Sequence, residues 1–140
     1  MQLWVTRALL AIAAIIFASG GVLHAIAYFS KASLVIESAS VNAFFGHELK
    51  VLWLADSTTL ISLALLFGVL SLRPTSVSKL VLLLLALVPG ATTALLYWFL
   101  GPFYAAHMLL LATVLVCVAA LTLNADPGQQ DSLEVQIGAH

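Results

Sequence analysis

Three histidines, His24, His47 and His107, fall on three separate apolar segments of this chain, and carboxylates accompany them at Glu48 and Asp56. Imidazole and carboxylate are the side chains that ligate metals and move protons near neutral pH. His24, His47 and His107 form a candidate metal-ligand set, with Glu48 as a further ligand or base. Three His ligands leave one position on Zn²⁺ for a polarised water, and mixed His/carboxylate sets also suit iron or copper. A b-type haem would instead need two histidines on facing helices and lateral room beside them. Gly20 and Gly21 offer that room near His24, but only Ala105 and Ala106 flank His107, so haem ranks below a divalent ion. The third chemistry is metal-free acid/base work on a lipid-soluble substrate, with Glu48 or Asp56 as the catalytic carboxylate and a histidine partner.

No local motif accompanies these residues. His47-Glu48 is followed by Leu-Lys-Val-Leu rather than a second histidine, and there is no haem-attachment pair and no serine elbow. The signal is a constellation, so its strength depends on the elements that carry it. Each member also has a structural reading. Asp56 would serve as a packing hydrogen bond to Thr92, Thr93 or a histidine. Glu48, Lys50 and His47 would be interfacial residues with their charges in water. Tyr97, Trp98 and Tyr104, like Trp4 and Trp53, suit an aromatic belt.

Composition names the solvent of those elements. Of 140 residues 63% are hydrophobic and 8% charged, with a single cysteine, Cys117. A chain this poor in charge has too little polar surface to face water, and a bilayer is the medium it matches. A formal net charge of −1 leaves no basic patch for nucleic acid. One thiol excludes an internal disulfide and a multi-thiolate metal site.

Four apolar segments predict an all-α integral membrane protein: an up-down-up-down bundle of four transmembrane helices with short loops, over about residues 3–29, 43–72, 79–100 and 103–123. Arg7, the apolar stretch after it and Ala25-Ile26-Ala27 imitate a secretory signal, but the stretch is longer than a signal core, which favours a helix. Residues 30–43, carrying Lys31 and Glu37, read as a connection that includes a short interfacial helix. Asn42 is an N-cap for the second span. Pro89-Gly90 predicts a kink in the third span, eased by Thr92 or Thr93, and Gly101-Pro102 ends it. Residues 124–140 form a polar, acidic, mobile tail in which His140 has no role.

Arg7, Arg73 and Lys79 flank one side against Lys31 and Lys50 on the other, which places both termini in the cytoplasm, and the compact loops suggest a bacterial inner membrane. His24, Tyr28, His47, Glu48, Tyr97, Tyr104 and His107 then gather at the opposite end. At about 100° per residue, Glu48, Asp56, Thr59 and Ser62 make one polar stripe, with Asp56 about 12 Å below Glu48 and Ser57 on the far side. Lipid cannot satisfy such a stripe, so it is expected to face the bundle interior. Gly20, Gly21, His24 and Tyr28 share a face on which a neighbouring helix comes close. The function these features support is binding of a metal ion or a small lipid-soluble ligand. The alternative is an accessory subunit of a larger membrane complex, or a homo-oligomer, because so small a bundle offers little surface besides helix faces.

Overall fold

The computed structural model describes residues 2–123, and the expectations for the 124–140 tail and His140 lie outside them. Five α-helices follow in order: α1 (Gln2–Ala27), α2 (Ser33–Ser38), α3 (Ala43–Leu72), α4 (Lys79–Leu100) and α5 (Tyr104–Thr122). Four helical stretches are long and apolar enough to cross a membrane, and the chain is an integral membrane helical bundle.

The first stretch is longer than its hydropathy alone suggests. No glycine or proline interrupts residues 22–38, so the helix does not stop at the end of the apolar run. It passes through a π turn at Tyr28–Ala32, where the Ser33 N–H reaches the Tyr28 carbonyl, and continues as α2. The segment expected to be a separate connection is therefore mostly helix. At 1.5 Å per residue the 36-residue helix Leu3–Ser38 is about 54 Å long, and the 30 residues of α3 reach about 45 Å. Both exceed the ~30 Å apolar core of a bilayer. A 2.6 Å ion pair from Lys50 to Glu37 ties α2 to the first turns of α3.

Helix ends follow local chemistry. Asn42 caps α3 by accepting from the Phe44 N–H at 2.9 Å, as its position before the apolar run predicts. Ser78 does the same for α4 through Val81 N–H at 3.3 Å. Gly101, with φ of 74°, closes α4 in a conformation that a β-carbon would strain. α4 is continuous through the buried Pro89. Thr92 and Thr93 donate to the Val88 and Pro89 carbonyls at 3.0 and 2.8 Å.

α1 lies between α3 and α5, and α4 packs on the other side of α5, giving the spatial order α3–α1–α5–α4. Neighbours run antiparallel: Gly21 meets Ser57 and Ile61, Thr6 meets Thr122, and Tyr97 meets His107. The core fills one half of the bundle, around Leu10, Ala13 and Phe17 of α1, Phe67 of α3, Leu82 of α4 and Val116 of α5. The Phe17 and Phe67 rings stack there at 5.6 Å. Small residues Ala13, Ala112 and Ala119 are fully buried and let backbones approach, as expected where lipid supplies no hydrophobic drive between helices. The other half is looser and opens on a cavity, and α3 and α4, at the two ends of the helix order, make no extensive contact with one another.

Candidate functional site

A cavity of about 460 Å³ occupies that looser half, lined by α1, α3, α4 and α5. Its floor includes Phe17 and Leu109, and Leu60, Leu96 and Met108 line its sides. Among the described residues no Lys or Arg lines it. Its base and its acid are His24 and Asp56.

His24 is held on three sides. Its Nδ1 is 2.9 Å from Ser57 Oγ. Its ring stacks on Trp53, centroids 4.5 Å apart and planes 13° from parallel. Its carbonyl accepts the Trp53 indole N–H at 2.9 Å. The close approach of α1 to α3 makes these contacts possible: a β-carbon at Gly21 would stand 2.8 Å from Ile61 Cγ1 and 3.1 Å from the Ser57 carbonyl oxygen. The face shared by Gly20, Gly21 and His24 is thus the contact surface that the small residues implied. Ser57 also donates to the Trp53 carbonyl at 3.3 Å, which leaves its oxygen able to accept from Nδ1, and Nε2 lies on the other edge of the ring. There it meets Asp56 Oδ2 at 3.6 Å, too far for a hydrogen bond. This is the one polar contact of Asp56 among the described residues, and its side chain keeps 42% of its surface exposed.

Ser57, His24 and Asp56 stand in the contact order of a nucleophilic triad, but Ser57 is 2% exposed and does not line the cavity. Its hydroxyl orients the imidazole and has no access to a substrate.

Other residues singled out by sequence lie elsewhere. His107 is exposed and bonded through Nδ1 to the Tyr97 hydroxyl at 2.5 Å, joining α5 to α4. His47 is exposed on the early turns of α3, beside a small groove shared with Glu37 and Lys50. Glu48 is exposed and does not line the cavity. Among the described residues no three His, Cys, Asp or Glu side chains gather into a group that could hold a metal ion. His24 and Asp56 are the members of the constellation that come together.

The stripe on α3 is rearranged too. Ser57, expected on the far side, is the buried member, whereas Glu48, Thr59 and Ser62 are exposed. Thr59 and Ser62 give their hydroxyls to the Ala55 and Thr58 carbonyls of their own helix, at 2.8 Å each. A hydroxyl satisfied by its own backbone need not face inward. Asp56 has no such outlet and turns toward the cavity. Thr92 and Thr93, expected as its partners, likewise spend their hydroxyls on α4. Trp53 is the residue whose role sequence concealed. Trp4 and Trp98 are 74% and 83% exposed, as belt residues are, but Trp53 is turned inward against His24. Its one distinguishing mark in the sequence is its place three residues before Asp56, on the same helix face.

Comparison with known protein families, with characterised proteins and with solved structures gives no match. What the fold and site define is a class: a small integral membrane helical bundle with an apolar cavity that ends in a His–Asp pair.

Proposed function

We propose that this protein binds a small lipid-soluble ligand in the cavity between its helices, with His24 and Asp56 as the polar end of the site. One observation carries this reading. An imidazole and a carboxylate, both costly to keep within a membrane, face an apolar cavity rather than being consumed by the bundle. Catalysis by Asp56, with His24 as proton partner, is a finer proposal on the same geometry. Glu48 stands outside the cavity and contributes no group to it. A divalent ion at this place would take His24 and Asp56 as two protein ligands and complete its sphere with water or ligand oxygen. The Arg7, Arg73 and Lys79 bias supports cytoplasmic termini, and the short loops support a bacterial inner membrane.

Native mass spectrometry of the purified protein, released from mild detergent, tests the reading. A bound small lipophile is expected on the wild type and absent from Gly20→Phe. Gly20 lines the cavity, and its nearest neighbour to a new β-carbon is Leu60 Cδ1 at 3.8 Å, so the ring enters open space. A lipophile retained equally by both proteins, or by neither, overturns the proposal. Elemental analysis of the same sample reads the metal alternative.

The accessory-subunit reading is favoured by a different feature. The long helices overhang the apolar core where α2 meets the start of α3, and Leu34, Val35, Phe44 and Phe45 there are 59–65% exposed. Apolar side chains on an overhang suit a protein partner. Co-purification from native membranes, lost on Phe44→Ser with Phe45→Ser, is the expected result, and a stoichiometric partner kept by that double variant would remove this support.

A further inference from the structure

The His24–Asp56 pair carries more information about the ligand than its presence in a cavity. Nε2 of His24 and Oδ2 of Asp56 are 3.6 Å apart, so neither satisfies the other. Nδ1 of His24 is already committed to Ser57, which leaves Nε2 as its one free polar atom. A carboxylate oxygen accepts, and an imidazole nitrogen donates or accepts according to where its proton lies, so the partner that can meet the two side by side is one that both accepts and donates.

We propose that the cavity selects a neutral lipid with a hydroxyl head: a long-chain or isoprenoid alcohol, a sterol or a quinol. A hydroxyl is the smallest group that both donates and accepts. An oxygen placed about 2.8 Å from each atom closes a triangle over the 3.6 Å gap and satisfies both sides. A carbonyl or ether oxygen accepts only, and leaves the acceptor of the pair unmatched. An anionic head meets Asp56 with no Lys or Arg on the lining to offset it. A cationic head would have to leave water for a cavity whose lining is mostly apolar, a cost that a neutral head does not meet. Leu23, Leu60 and Leu96 supply apolar wall for the chain, which leaves through the space where α3 and α4 do not pack together.

This inference rests on the cavity-binding reading above, and the test separates the two. Trp53 lines the cavity, whereas Trp4 and Trp98 are exposed, so the full chain carrying Trp4→Phe and Trp98→Phe reports from the site alone. The probe is a bromine-labelled long-chain alcohol in phosphatidylcholine vesicles, which quenches an indole on contact. Competitors share one hexadecyl chain and differ in head: hexadecanol, hexadecyl methyl ether, palmitate and hexadecyltrimethylammonium. Hexadecanol is expected to relieve quenching at about one tenth of the concentration the methyl ether needs, with the two charged heads weaker again. In Asp56→Leu the advantage of alcohol over ether should fall to about one. Equal competition by alcohol and ether, or strongest competition by the ammonium, overturns the hydroxyl assignment and leaves the cavity reading standing. Quenching no greater than that of free indole in the same vesicles overturns both.

Discussion

Two polar contacts in this bundle meet opposite fates. At one end Thr6 of α1 and Thr122 of α5 join hydroxyls at 2.8 Å, with Thr6 wholly buried and Thr122 also donating to the Ala119 carbonyl. Both hydroxyls are engaged within the packed half of the bundle. At the other end His24 and Asp56 face one another at 3.6 Å beside the cavity. The threonine pair is a staple between α1 and α5. The His–Asp pair is held in place by Ser57 and Trp53 yet not used up by them. The same fold thus treats polarity as glue in its packed half and as an offered surface in its open half.

That contrast can be broken by mutation. The largest effect is expected in the packed half: Phe17→Ala removes a ring that is 1% exposed and stacked on Phe67, and should cost about 3–5 kcal/mol in reversible unfolding in detergent. Next comes Gly21→Ala. Its new β-carbon would meet the Ile61 side chain at 2.8 Å and backbone atoms of α3 at 3.1 and 3.2 Å, so a loss of about 1–3 kcal/mol is expected, together with a weaker Trp53–His24 stack visible in near-ultraviolet circular dichroism. Thr6→Val should cost about 0.6 kcal/mol or more, the ordinary worth of one hydrogen bond between membrane helices, while Thr122 keeps its bond to Ala119. Smallest of all, Asp56→Leu is expected to leave unfolding unchanged or to raise stability slightly, since it removes a carboxylate with no hydrogen bond and adds apolar surface to an apolar wall. A loss above about 2 kcal/mol on Asp56→Leu would make the carboxylate structural and erase the difference between the two pairs.

Much of the architecture was legible because a bilayer imposes simple rules. Residues 43–72 and 79–100 coincide with α3 and α4, since apolar runs of that length have one stable solution in lipid. Asn42, Gly101 and the Gly20–Gly21 face acted as their types implied, through capping, positive φ and close helix approach. Legibility failed where satisfaction of polar groups was local. Thr59 and Ser62 looked like members of one inward stripe with Asp56, and Thr92 and Thr93 like its partners, but each found a carbonyl on its own helix. Helical angles cannot anticipate that, because they say which way a side chain leaves the axis and not whether its hydrogen is already taken. The same gap hid Ser57 and Trp53, and it made three histidines on three helices look like one set.

By itself, then, the sequence determined the solvent of this protein, the number of its spans and the residues too polar for lipid to hold unassisted. Which of those residues would meet was decided only in three dimensions. Spatial order α3–α1–α5–α4 puts α1 against α3, and Gly21 sets the distance, so His24 reaches Asp56 while His107 goes to Tyr97. Side-chain reach is a few ångströms and helix spacing is about 8–10 Å, so rotation and neighbour choice decide every such meeting.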